Sequence, residues 1–143
     1  MTQDLLDGEP TSGFQDLLGY HLAEWAEGHA VLELAVERKH CNRAGVVHGG
    51  VLATLIDTSC GFSATYCPVP GRVRRVVTLS LTSSFLGQAR HGIIRAVGRM
   101  RAGGSRIVFC SAEVLDEDGK LIAMGEGSFR YRTGSKALEG VPL

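Results

Sequence analysis

His48-Gly49-Gly50-Val51-Leu52-Ala53-Thr54-Leu55-Ile56-Asp57-Thr58-Ser59-Cys60-Gly61-Phe62-Ser63-Ala64-Thr65-Tyr66 is the stretch whose reading decides the fold. Its residues are apolar or small on nearly every helical face, so it reads as a helix over about 49–66 that its neighbours enclose. Pro68, Pro70 and Gly71 end it. From Gly49 to Gly71, Asp57 is the only Asp, Glu, Lys, Arg or His. A carboxylate in such surroundings is costly to desolvate unless a partner satisfies it, and burial of an unpaired carboxyl disfavours its charged form. Asp57 therefore reads in one of two ways. It is acid–base machinery, or it is a polar residue that reaches the helix end or bonds a neighbouring strand.

Strand patterns flank the helix on both sides. Residues 20–27 alternate weakly. Residues 30–38 alternate clearly, with Leu32, Leu34 and Val36 opposite Glu33 and Glu37. Residues 39–47 read as a loop. After the helix, Val77, Leu79, Leu81 and Phe85 share one face of a long strand and Thr78, Ser80, Thr82 and Ser84 the other. A strand over 92–101 sets Ile94, Ala96 and Met100 against Arg95, Arg99 and Arg101. Gly103-Gly104 turns into a strand over 106–115, and Asp118-Gly119 turns into the last, over 121–131. Residues 13–18 fit one helical turn, 1–12 a flexible leader and 133–143 a mobile tail, which leaves 13–132 as the folded domain.

The order is strand, strand, helix, then four strands. Without βαβ alternation it cannot be doubly wound. The economical solution is an α+β domain in which a curled antiparallel sheet of about six strands wraps one long central helix, the hotdog fold. One edge of that helix stays poorly covered, which calls for a dimer.

The 143 residues suit one domain and can bury a core without staples. Lys plus Arg equals Asp plus Glu at 15 each, which argues against general nucleic-acid binding. No apolar run has the length of a membrane span, and the acidic start lacks a signal peptide's pattern. Cys41, Cys60, Cys67 and Cys110 form no C-x-x-C pair and fit no zinc spacing, so no metal is expected. Free thiols without an export signal point to the reducing cytoplasm, where each cysteine serves as a small hydrophobe.

Asn42-Arg43-Ala44-Gly45-Val46-Val47-His48-Gly49-Gly50, followed by Leu55-Ile56-Asp57, gives the pattern N-x5-H-G-G-x6-D. This resembles the signature of the hotdog-fold acyl-CoA thioesterases, and most closely their phenylacetate-degradation branch, which includes a mammalian mitochondrial acyl-CoA thioesterase. The resemblance in strand order covers roughly residues 13–132. It implies hydrolysis of acyl-CoA to free acid and coenzyme A without a cofactor. It assigns Asp57 as general base or nucleophile, the Gly49 N–H as donor to the thioester carbonyl, Asn42 as the group orienting water or substrate, and Thr78 as holder of the water beside Asp57. It also implies a homodimer with shared sites, assembling further as a dimer of dimers.

The chemistry makes sense on its own. The first N–H groups of a helix have no internal partner and meet positive dipole potential, which suits a developing oxyanion. Asp57 follows Gly49 by eight residues, about 12 Å along a helix, so one acyl carbon cannot touch both within one chain. Two antiparallel helices across a two-fold axis remove the conflict and give two equivalent sites. His48 reads as a dyad partner for the aspartate or as the ring that fixes the glycine turn. Ser59, Ser63 and Thr58 read as packing residues, since no G-x-S-x-G elbow is present.

Arg99, Arg101 and Arg106 flank the Gly103-Gly104 turn and are candidate anchors for the coenzyme phosphates, with Arg72, Arg74 and Arg75 next. Phe62, Tyr66 and Phe85 are candidates for the acyl pocket, although core packing explains them as well. Two rival functions stay open: an acyl-CoA-binding hotdog domain without catalysis, and a hotdog dehydratase or hydratase.

Overall fold

Residues 9–143 are described by the computed structural model. Their elements are α1 (Gly13–Leu18), β1 (His21–Ala26), β2 (His29–Ala35), a 3-10 turn (Arg38–His40), α2 (Gly49–Ala64), β3 (Arg72–Val73), β4 (Val76–Phe85), β5 (Ile93–Gly103), β6 (Ile107–Leu115), β7 (Leu121–Tyr131) and β8 (Val141–Pro142). Six strands form one antiparallel sheet in the order β1-β2-β5-β6-β7-β4. Helix α2 lies across β2, β4, β5, β6 and β7. This is the expected hotdog architecture. No described helix is long and apolar enough to cross a membrane.

The sheet seats α2 closely because glycines face it. A Cβ on Gly98 would run into the Ser59 carbonyl, and one on Gly125 would come within 2.9 Å of Ile56 Cγ2. Ser59 and Ser63 turn their hydroxyls back onto the Ile56 and Cys60 carbonyls, at 3.2 and 2.6 Å. They are satisfied packing residues, as expected. Leu52, Leu55, Ile56 and Cys60 are buried against the sheet together with Leu32, Ile94, Val108 and Phe129. The opposite stripe (Ala53, Thr54, Asp57, Thr58, Gly61 and Phe62) is only half-buried. The helix is thus not enclosed on all sides, and the uncovered stripe holds Asp57.

Two readings need correction. The helix ends at Ala64 with Thr65 as its cap rather than at Tyr66. On β4 the simple alternation fails, because the register shifts between Thr78 and Ser80. The bulge at Leu79 puts Val77 on the outer face, beside Arg130 and Ile107, while Leu81 packs against the core. Thr78 pairs across the sheet with Phe129 and turns toward α2.

The chain ends carry structure that composition does not reveal. Residues 1–8 of the expected leader lie outside the described residues. Within the rest of it, Glu9 pairs with Arg75 at 2.6 Å, and Ser12 caps α1 through the Gln15 N–H at 3.1 Å. In the expected tail, β8 pairs with β3. Arg72 donates to the carbonyls of Glu139 and Gly140 at 2.7 and 2.8 Å. Arg74 donates to those of Ser135 and Lys136 at 2.8 and 2.7 Å.

Candidate active site

Helix α2 presents Asp57 from its half-covered stripe to a cleft of about 700 Å³, which Trp25, Thr58, Phe62, Val76 and Phe129 also line. The Thr78 hydroxyl donates to Asp57 Oδ1 at 2.7 Å. The β4 bulge makes that contact possible. A lone carboxyl sealed in the core is therefore not what forms. Asp57 is half-exposed, holds one hydroxyl partner, and leaves Oδ2 without a partner among the described residues.

Trp25, the only tryptophan, shapes the same cleft and is the residue that sequence reasoning overlooked. Its indole N–H donates to the Phe62 carbonyl at 2.8 Å. Its ring meets Phe62 and Tyr66 edge-on, with centroids 5.6 and 5.5 Å apart. A single Trp on a strand packing near the end of an apolar helix was the available signal.

The other expected residues gather at the N-terminus of α2. His48 is the N-cap, and its Nδ1 accepts the Gly50 N–H at 2.8 Å. The His48 backbone N–H donates to the carbonyl of His40 at 2.8 Å. The His48 ring thus bonds the first turn of α2. Asn42 Oδ1 accepts from Ala44 and Val46 N–H at 2.9 and 3.3 Å, so its side chain shapes the preceding loop. Gly49 is the first helical residue, and its N–H has no possible partner inside the helix. Phe85 lies beside it, with a ring atom 3.5 Å from where a Gly49 Cβ would stand.

The expected site thus falls into two groups at separate places on α2. Gly49, His48, Asn42 and Phe85 form one. Asp57, Thr78, Phe62 and Tyr66 form the other. The acyl-pocket candidates are split between them.

The arginine trio is also divided. Arg99 and Arg101 lie on the outer sheet face, away from α2, where Arg101 Nε donates to Ser111 Oγ at 2.7 Å. Arg106 lines a different concavity. Arg72 and Arg74 reach the cleft with their guanidinium groups already bonded to tail carbonyls. Burial pushes the Cys60 thiol well above the usual range and raises that of Cys110, which disfavours either as a nucleophile. Among the described residues no cluster of His, Cys, Asp and Glu could hold a metal ion.

The profile of the thioesterase superfamily matches residues 44–123, the segment that runs from the loop before α2 into β7. The chain is 34% identical over 121 residues to a Pseudomonas aeruginosa protein provisionally named an esterase, covering 83% of this chain and 88% of that one. It is 30% identical over 117 residues to human acyl-coenzyme A thioesterase 13, covering 78% and 80%. The solved structure of the E. coli PaaI protein, from the phenylacetic acid degradation operon, superposes with a TM-score of 0.76 at 24% identity, covering 87% and 88%. That likeness is one of fold.

Proposed function

The chain belongs to the thioesterase superfamily, and within it we propose that the protein hydrolyses acyl-CoA thioesters at a site built from two copies of the chain. One observation carries this reading: β4 touches both groups of residues. Thr78, near its start, holds Asp57, and Phe85, at its end, lies on Gly49. Strand β4 is also an edge of the sheet, with a free row of backbone donors and acceptors. Antiparallel pairing of two such edges sets the Phe85–Gly49 end of one copy beside the Thr78–Asp57 end of the other. This meets the demand that one chain leaves unmet, where the two groups stand about 12 Å apart along α2. The human relative's name supports coenzyme A as the leaving group.

In the proposed reaction the thioester carbonyl oxygen takes the Gly49 N–H of one copy. Asp57 of the other copy acts on the acyl carbon, with Thr78 fixing its rotamer. As a base, the carboxylate takes a proton from water. The resulting hydroxide forms the new C–O bond, and the oxyanion collapses with loss of the thiolate, which recovers the proton from Asp57. As a nucleophile, the carboxylate forms the C–O bond itself and expels the thiolate, and water then hydrolyses the anhydride. Both routes give one acid and one free coenzyme A thiol. The free cysteines suit a cytoplasmic setting. Phe109 and Met124, both exposed on the outer sheet face, offer apolar surface for pairing two dimers.

The test is thiol release from short, medium, long and aryl acyl-CoAs by the wild type and by Asp57→Asn. Hydrolysis lost in the variant supports the reading. Equal hydrolysis by both removes Asp57 from the chemistry. Binding of acyl-CoA without turnover by the wild type would favour the non-catalytic alternative.

A further inference from the structure

A second concavity, of about 880 Å³, opens where β6 and β7 meet the segment after β7. Its lining includes Arg106, Arg130, Arg132 and Lys136, three hydroxyl residues, Ser105, Tyr131 and Thr133, and no carboxylate. The whole chain balances 15 cations against 15 anions, so this concentration of one sign is local. Six arginines elsewhere are engaged. Arg95 pairs with Glu24 and Glu33, Arg75 with Glu9, and Arg72, Arg74, Arg90 and Arg101 bond carbonyls or a hydroxyl. The four cations of the groove make no ion pair and no side-chain hydrogen bond among the described residues.

Backbone bonds hold them together against their mutual repulsion. The Tyr131 N–H donates to the Arg106 carbonyl at 2.9 Å, Arg132 N–H to the Arg75 carbonyl at 3.0 Å, and Ser135 N–H to the Arg132 carbonyl at 2.9 Å. The Lys136 carbonyl is clasped by Arg74 at 2.7 Å. The folded tail therefore delivers the fourth charge. The groove and the Asp57 cleft share one lining residue, Arg132. Arg132, the residue after β7, follows the cleft residue Phe129 by three positions, about 10 Å of extended chain.

We infer that this groove binds the phosphate groups of the substrate's coenzyme, a nucleotide carrying several phosphates, and that Arg106, Arg130, Arg132 and Lys136 are its anchors. The assignment rests on the proposal that the substrate is a coenzyme A thioester. Guanidinium groups suit phosphate because their forked donors give two parallel charge-assisted bonds. A preassembled cluster of cations with no internal partner gains most from a multivalent anion. It loses Arg99 and Arg101 from the anchor expected from sequence and keeps Arg106.

The test compares wild type with the double variant Arg130→Ala/Lys136→Ala, with Arg38→Ala/Lys39→Ala as a control that removes equal charge elsewhere. Substrates are an acyl-CoA and the matching acyl-pantetheine, which lacks the nucleotide. Calorimetry measures binding of coenzyme A, of adenosine 3′,5′-bisphosphate and of a single-stranded oligonucleotide. The groove variant should raise KM for acyl-CoA about tenfold or more, the usual effect of losing a charge-assisted contact. It should leave kcat, and both constants for acyl-pantetheine, unchanged. It should also lose bisphosphate binding, and Arg130→Lys should restore part of it. The control should match wild type throughout.

An unchanged KM for acyl-CoA, or a wild type that binds the oligonucleotide more tightly than the bisphosphate, overturns the assignment. If the wild type hydrolyses neither thioester but binds coenzyme A in a groove-dependent way, the anchor stands and the thioesterase reading falls. If hydrolysis is intact and coenzyme A binding is indifferent to the variant, the anchor alone falls.

Discussion

Replacing Gly49 by proline removes one hydrogen atom of interest and little else. Gly49 is the first residue of α2, where proline is well accepted because its missing N–H has no helical partner. The preceding residue must be extended, and His48 already is, at φ −63° and ψ 138°. A Cβ at position 49 would stand 3.5 Å from Phe85, an ordinary contact. The variant should therefore fold with equal or slightly greater stability. If the Gly49 N–H receives the oxyanion, kcat should fall by about 10²–10³, the effect of losing one such donor.

Pairing this variant with Asp57→Asn tests the shared site. Each homodimer lacks one component at both sites. After exchange of equal amounts, about half of the dimers are mixed, and each mixed dimer holds one complete site out of two. Thiol release should then recover from near zero to about a quarter of the wild-type rate per chain. Confirmed subunit exchange without recovery would refute the two-copy site. Undiminished turnover by Gly49→Pro alone would refute the role of the N–H.

Thr78→Val should lower kcat by about tenfold or more through loss of a hydrogen bond to a charged group, while Thr78→Ser keeps most activity, as read from single-turnover rates. Gly98→Ala should destabilise by about 1–3 kcal/mol, since its methyl meets the backbone carbonyl of Ser59 rather than a movable side chain; thermal melting checks this. Cys60 and Cys110 stay protonated in the fold because burial raises their pKa values, whereas unfolding frees them to ionise near the ordinary thiol value of 9.0. Stability should hold below that pH and decline as pH rises above it, because the folded state then binds more protons than the unfolded one. Denaturant titrations at pH 7 and 10 on wild type and Cys60→Ala should show a smaller decline in the variant.

The fold was legible because its decisive features are local in sequence. An all-round apolar helix between strand patterns and turns such as Asp118-Gly119 leaves few architectures open, and six strands around one helix is the one observed. The motif residues Asn42, His48, Gly49 and Asp57 were legible for the same reason, since all lie in one loop and one helix. What stayed hidden depends on contacts distant in sequence. The β3–β8 pair joins residues 68 or more apart, and the tail's composition gives no hint that Arg72 and Arg74 will clasp its carbonyls. Arg130, Arg132 and Lys136 converge with Arg106 only after β6, β7 and the tail have folded together. Asp57 looked sealed from its neighbours in sequence, which are buried or small; only the sheet's width shows which helical stripe stays uncovered.

The bulge at Leu79 ties these observations into one requirement. A strand with strict alternation that buries Leu81 against the core would put Leu79 on that side and Thr78 on the outer face. Inserting one residue lets Thr78 and Leu81 both turn inward, so the same strand that packs the core also holds the carboxylate. It continues to Phe85, beside Gly49. Strand β4 therefore fixes the spacing between Asp57 and Gly49 in any assembly that pairs through it. A deletion of Leu79 tests that linkage more severely than a point substitution. It should restore simple alternation with Thr78 still opposite Phe129 and facing Asp57, while it shortens the β4 edge by one residue and so shifts the pairing of two such edges. Loss of thiol release with a dimer still present by ultracentrifugation is the expected outcome. A fully active deletion variant would show that the bulge has no part in setting the spacing between Thr78 and Phe85 that the two-copy site needs.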